Sequence, residues 1–239
     1  MAYYNRGYQI PDLVATNGIG SINGILFPTL SRCADKESEF KNAYRRVFQI
    51  MHYISFPTFF GLVAVMPSLS IVLLTEKWND SIIFAQIISI SHILDPFFAR
   101  QHVYNAKGRS DVSLYLSICD KMVITILLYI SIVYGNVYHL VFTSLVSNFI
   151  SVLIGIVVNK KILEYSILEQ VKDMLSSFIL ALIMFCVVYY VNFWEIGYFV
   201  KLIIQLLLGV TIYLFGSILL RNESFNYIKE IVFGYLKRT

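Results

Sequence analysis

Apolar residues fall along this 239-residue chain in blocks long enough to cross a bilayer, separated by shorter polar gaps. A helix of about 20 apolar residues covers the ~30 Å of hydrocarbon. Cutting the chain at its gaps predicts spans at 9–31, 48–74, 81–104, 113–134, 137–158, 174–192 and 197–219. Helix follows because an open strand edge cannot be satisfied in hydrocarbon. The first span differs from the rest. Thr16, Asn17, Gly18, Gly20, Ser21, Asn23 and Gly24 suit a helix packed inside a bundle rather than one facing lipid. Very few residues separate 113–134 from 137–158, which predicts a tight antiparallel hairpin. In the second of these spans Ser144, Ser147, Ser151 and Gly155 give one face of small residues for close packing. In the gap that follows, Ile162, Leu163, Ile167, Leu168 and Val171 share a helical face. Residues 160–173 therefore predict an interfacial amphipathic helix, or a short connector helix of the same geometry.

Composition narrows the class. The chain is 57% hydrophobic and only 14% charged, with a mean hydropathy of +0.68. A soluble domain of this size needs a larger charged surface. The predicted fold class is all-α, a polytopic membrane bundle of about seven transmembrane helices forming a single membrane domain over 1–239. The basic residues then set its orientation. Stretches 32–47, 105–112, 159–173 and 220–239 hold 14 of the 19 Lys and Arg, whereas 75–80, 135–136 and 193–196 hold only Lys77. The positive-inside rule puts the first set and the C-terminus in the cytoplasm. The net charge of +4 is thereby explained as topology, with no nucleic-acid partner expected. Cys33, Cys119 and Cys186 are too dispersed for a disulfide or metal framework.

Ionisable groups inside spans are expensive and normally face a cavity or a partner. His92, Asp95, Ala99 and His102 follow helical spacing on one face, and Pro96 leaves the His92 carbonyl without its backbone donor. In the next span Ser113, Ser117, Lys121 and Thr125 form a stripe with Asp120 beside it. Depths along the two helices overlap at a rise of about 1.5 Å per residue. The reading pairs Asp95 with Lys121 and Arg100 with Asp120, either as structural ion pairs or as a substrate- or ion-coupling site. No GxSxG, HExxH, Walker A or paired metal-ligand cluster occurs, so neither an enzyme nor a metal or cofactor is expected.

The segment AYYNRGYQIPDLVATNGIGSINGILFPTLSR closely resembles bacterial polysaccharide (oligosaccharide-lipid) flippases of the multidrug/oligosaccharidyl-lipid/polysaccharide exporter superfamily. Tyr3, Tyr4, Asn5, Arg6, Tyr8 and Gln9 match a YYNRAYQ-like turn. Asn17, Gly20, Leu26, Phe27, Pro28, Leu30 and Ser31 match the Gly/Asn-rich span that follows and ends in LFPALS. Phe40, Ala43, Tyr44 and Arg46 fit a cytoplasmic F-x-x-A-Y-x-R pattern, and YNAKGRSD at 104–111 resembles a short linker. The resemblance covers about the first 110 residues, and span spacing carries it beyond. Such flippases are about twice this length, so the chain reads as the C-terminal lobe of a MATE-like exporter fold with the first lobe absent.

The resemblance implies alternating-access flipping of undecaprenyl-diphosphate-linked oligosaccharide (O-antigen, capsule, exopolysaccharide or teichuronic-acid-type units). The place is the bacterial cytoplasmic membrane. A pyrophosphate crossing the membrane interior needs cationic partners, of which Arg6, Arg46, Arg100 and Lys121 are available. The substrate-binding set is expected to be Arg6, Asn17, Asn23, Asp95, Arg100 and Lys121. Expected partners are the lipid-linked oligosaccharide, membrane lipids, and a missing N-terminal half or polysaccharide assembly proteins. The chain alone is expected not to flip anything, since alternating access needs two lobes around one site. The alternatives are a fragment of a MATE-type cation-coupled drug antiporter and a membrane polysaccharide polymerase. The latter normally carries a large outer loop, which has no counterpart here.

Overall fold

A computed structural model of the chain describes residues 2–31 and 36–236, with the side chains of 19–29, 31 and 230–236 left aside. Among the described residues the order is α1 (Ala2–Ser31), α2 (Glu37–Leu74), α3 (Ser81–His92), α4 (Arg100–Ala106), α5 (Ser110–Tyr134), α6 (Val137–Ile162), α7 (Ile167–Tyr190), α8 (Tyr198–Leu219) and α9 (Glu223–Leu236). Short 3-10 turns lie at Glu76–Trp78, Asp95–Ala99 and Val191–Phe193, and no strand is present among these residues. Helices α2, α5, α6, α7 (with its 3-10 extension to Phe193) and α8 are each long and apolar enough to cross a membrane. Ser81–His92 and Asp95–Ala106 form a sixth such unit as a pair bent by 40°. The chain is a multi-pass, all-α membrane protein. The expected first span is helical as well. It begins at Ala2, however, so Tyr3–Gln9 continues the helix instead of forming the expected turn.

Helix α2 is the central pillar. At about 1.5 Å per residue its 38 residues run about 57 Å, well beyond the hydrocarbon thickness. It packs against α1, α3, α7 and α8. Phe40, Tyr44, Phe48, Met51, Phe56 and Phe59 bury one side of it from the basic end to mid-helix. Edge-on ring contacts recur there, as between Phe48 and Phe97 with centroids 5.4 Å apart. The predicted hairpin is present. α5 stops at Gly135, and Asn136 restarts the chain as α6 by accepting from the amides of Tyr138 and His139 at 3.0 and 3.4 Å. Ser147, Ser151 and Gly155 are buried, as the small-residue face of α6 requires.

Two predicted elements differ. The span 81–104 is broken after His92 by a turn through Ile93 and Leu94, then a 3-10 stretch Asp95–Ala99. Pro96 supplies no amide hydrogen, so the α-ladder cannot pass this point intact. The amphipathic helix expected over 160–173 is also absent. α6 runs on to Ile162, Glu164 takes a φ of +51°, and α7 begins at Ile167. The restart is a reciprocal cap: the Glu169 amide donates to Ser166 Oγ (3.2 Å) and the Ser166 amide to the Glu169 carboxylate (2.8 Å).

That connector is locked by a buried polar network at the basic end. Tyr104 donates to Asn159 Oδ1 (2.6 Å), and Asn159 Nδ2 donates to Tyr44 Oη (3.3 Å) and Gln170 Oε1 (3.2 Å). Gln170 Nε2 donates to the carbonyls of Ile156 and Tyr165. The Tyr165 phenol donates to Asp173 (2.6 Å), which also takes the Arg45 guanidinium in a two-point ion pair. Burial and then this bond to Asp173 push the Tyr165 phenol far above its ordinary pKa, so it stays a donor. Lys41 and Lys107 close the same end on the carbonyls of Glu164 and Ile162.

Candidate functional site

Helix α5 has the least protein cover of the spanning helices. Only 11% of its most apolar stretch is buried, against 44% for α2. Most of its exposed residues are apolar and fit lipid, among them Leu114, Met122 and Tyr129. One stripe does not fit lipid. Ser117, Lys121 and Thr125 lie one turn apart and line an open hollow of about 520 Å³ with Ile118, Met122 and Ile126. Lys121 lies about 17 Å from the start of α5 and about 20 Å from its end, near the middle of the helix. It is exposed and has no ion-pair partner among the described residues. The expected pairing with Asp95 does not form. Thr125 and Ser117 bond back to their own helix, at the Lys121 and Ser113 carbonyls, so the ammonium is the free polar group of the stripe.

Behind the stripe, the other expected pair is present. Arg100 is 1% exposed and reaches Asp120 at 3.4 Å. It also donates to the Phe97 carbonyl (3.2 Å) and lies 4.9 Å from the Phe98 ring centroid. Gly155 of α6 makes room for it. A Cβ there would fall 2.8 Å from three guanidinium atoms. Arg100 Nε and Asp120 Oδ1 are buried without partners. The guanidinium is therefore enclosed between α4, α5 and α6, while its neighbour Lys121 faces outward.

Asp95 sits at the α3–α4 break and takes its hydrogen bond from His92 Nδ1 at 2.7 Å. The His92 ring stacks on Phe59 of α2, with centroids 5.4 Å apart. Nearer the start of α1, the Tyr8 hydroxyl donates to Asp12 at 2.9 Å. His92 and Asp95 thus do share a face, whereas the helix breaks before His102, which is exposed. Arg6 is exposed near the start of α1. It donates to Gln9 Oε1 (3.0 Å) and lies 5.1 Å from the Trp78 ring centroid. Asn17 is exposed and donates to the Leu13 carbonyl at 2.8 Å. The side chain of Asn23 lies outside the described residues. Arg46 is at the basic end, 5.6 Å from the Tyr227 ring centroid. The structure gathers Asp95 with His92, and Arg100 with Asp120, while Lys121, next to Asp120 in sequence, faces outward. It keeps Arg6 and Arg46 at opposite ends of the bundle.

A second feature has no counterpart in the sequence reading. An apolar groove of about 430 Å³ runs between α2, α7 and α8, with Val14 of α1 at its edge. Gly61 and Gly209 keep its walls low, and Pro57, Val65, Met184 and Leu206 give it a hydrocarbon-like surface. Gln205 is the polar exception. Its Nε2 donates to Asn192 Oδ1 (3.0 Å) and the Val188 carbonyl (3.3 Å), while its Oε1 is buried without a partner. The signal available in the sequence was a polar residue inside a strongly apolar span.

Three comparisons bear on this geometry. Residues 1–83 match the family described as polysaccharide biosynthesis protein. The chain resembles that family over about its first third. It is 24% identical over 116 residues to the teichuronic acid biosynthesis protein TuaB of Bacillus subtilis (strain 168). That match covers 48% of this chain and 24% of TuaB. The fold is shared with the lipid II flippase MurJ in its inward closed conformation, with a TM-score of 0.72 and 19% identity, covering 92% of this chain and 47% of MurJ. The chain thus spans about half the length of that flippase and matches about a quarter of TuaB.

Proposed function

We propose that this chain is a membrane domain forming one half of a flippase that carries a lipid-linked oligosaccharide across the bacterial cytoplasmic membrane by alternating access. The observation that carries the reading is the unpaired, exposed Lys121 at mid-membrane depth on the least covered helix. A lysine facing lipid at the centre of a span costs about 2.5–3.5 kcal/mol. A Ser–Lys–Thr stripe at that depth instead suits a hydrated path closed on its far side by further helices. A pyrophosphate group crossing the membrane finds its counter-charge there. The apolar groove between α2, α7 and α8 offers the complementary surface for a hydrocarbon chain.

Within this reading, Lys121 and Arg6 contact the charged part of the substrate, with Asn17 and Asn23 on the α1 side. Arg100 and Asp95 hold the local field and geometry through Asp120 and His92. The end that gathers Lys41, Arg45, Lys107 and the C-terminal helix α9 is assigned to the cytoplasm by its basic residues. The partners are the lipid-linked oligosaccharide and the helices that complete the second wall.

The test uses a flippase-deficient strain supplied with the complete transporter that contains this chain. Lys121→Gln is expected to reduce surface polysaccharide at least tenfold at unchanged protein level. Arg109→Gln, an exposed loop change, is expected to leave it unaltered. Normal surface polysaccharide with Lys121→Gln would remove the basis of the reading.

A further inference from the structure

Helix α2 contains two prolines, Pro57 and Pro67. A proline has no amide hydrogen, so the carbonyl four residues earlier receives no helix bond. Here those carbonyls belong to Tyr53 and Val63. An unpaired carbonyl in a membrane interior is expensive, because no water is present to satisfy it. Each of the two is satisfied by a side chain from a different neighbouring helix. Tyr213 of α8 donates its phenol to the Tyr53 carbonyl at 2.8 Å. Gln86 of α3 donates its amide to the Val63 carbonyl at 3.1 Å.

The Tyr53 junction is reinforced by a second pair of bonds. The Tyr53 hydroxyl donates to Ser217 Oγ (2.8 Å), and Ser217 donates to the Tyr213 carbonyl (2.7 Å). Tyr213 and Ser217 lie one turn apart on α8, so the contact fixes both the height and the rotation of α8 against α2. At the second junction the adjacent Ala64 carbonyl accepts from Asn192, at the far end of α7 (2.8 Å). Helix α2 can flex at both prolines without losing a backbone bond there, but neighbouring side chains hold the two released carbonyls.

We propose that Tyr213 and Gln86 are latches on two proline hinges in α2. Each holds its own helix, α8 or α3, to the hinge by supplying the hydrogen bond that the proline cannot. A shift of α8 or α3 along α2 returns one carbonyl to an unsatisfied state, so such shifts occur as discrete unlatching. Pro57 and Tyr213 both line the apolar groove, so the first latch also sets the spacing of two groove walls. The inference stands on the helix geometry alone and does not depend on what the protein transports.

The experiment is a double-substitution cycle on the full chain in detergent, read by thermal unfolding. Tyr213→Phe removes the donor and keeps the ring. With Pro57 present it is expected to lower the unfolding midpoint by about 4 °C. Pro57→Ala restores an amide at the hinge, so the Tyr53 carbonyl regains a backbone donor. In that background Tyr213→Phe is expected to lose most of its effect. A variant that accumulates only when Pro57→Ala is also present reports the same coupling. Gln86→Met against Pro67→Ala repeats the test at the second hinge. Equal losses in both backgrounds, or no loss with the proline in place, would overturn the corresponding latch. A merely structural tyrosine or glutamine would show no such rescue.

Discussion

Two polar regions of this protein are built in opposite ways. At the basic end, Tyr44, Tyr104, Asn159, Tyr165 and Gln170 are all buried, and the described hydrogen bonds account for one another across α2, α4, α6 and α7. On α5, Lys121 has no ion-pair partner among the described residues and stands exposed at mid-span, with the partly buried Arg100–Asp120 pair behind it still carrying unpartnered atoms. A satisfied buried network rigidifies a fold. A charge left open inside a membrane protein is a group held for something outside the present structure. The contrast separates polar residues that hold the bundle together from those that the proposed function assigns to transport.

The most direct way to break that division is to disturb the satisfied side. Asn159→Leu strands donors and acceptors on Tyr104, Tyr44 and Gln170, and is expected to destabilise the chain by about 4 kcal/mol. Thermal unfolding in detergent is the check, and a loss below 1 kcal/mol would show that the network is dispensable. Next comes the enclosed pair. Arg100→Leu leaves Asp120 without its cation and is expected to cost about 3 kcal/mol. Adding Asp120→Asn should recover part of that loss, and a fully additive double variant would mean that the two groups are not coupled.

Gly155→Ala sharpens the same boundary, because the added Cβ meets the guanidinium at 2.8 Å. About 2 kcal/mol of overpacking is expected, falling when Arg100→Met is combined with it. The smallest stability effect belongs to the open side. Lys121→Gln should change the unfolding free energy by less than about 0.5 kcal/mol. Large destabilisation by Lys121→Gln would place Lys121 among the structural residues.

Much of the fold was legible in the order of residues. The α5–α6 hairpin followed from the two-residue gap at Gly135 and Asn136, and the buried face of α6 from the spacing of Ser147, Ser151 and Gly155. The Arg100–Asp120 pair followed from matched depth along adjacent helices. Local chemistry overrode periodicity elsewhere. The apolar face over 160–173 suggested one helix, but the Ser166–Glu169 cap makes a restart at Ile167 more favourable. Asp95 was assigned to Lys121 by depth, yet the break forced by Pro96 turns it to His92, three residues away. The latches at Tyr53 and Val63 were not readable, because each joins a proline-freed carbonyl to a side chain on another helix. The groove between α2, α7 and α8 was hidden for the same reason, since it exists only once helices distant in sequence pack together.

The central claim is that the Lys121 stripe of α5 faces water rather than lipid, and thiol labelling tests it most directly. Cys33, Cys119 and Cys186 are first replaced by Ser, and Lys121→Cys is introduced into the protein in intact cells. Leu207→Cys, exposed near the middle of α8 on an apolar surface, is the reference for lipid. A membrane-impermeant, water-soluble maleimide is expected to modify position 121 and to leave position 207 unmodified. Position 121 silent to that reagent, yet reactive like position 207 to a lipid-soluble one, would contradict the account.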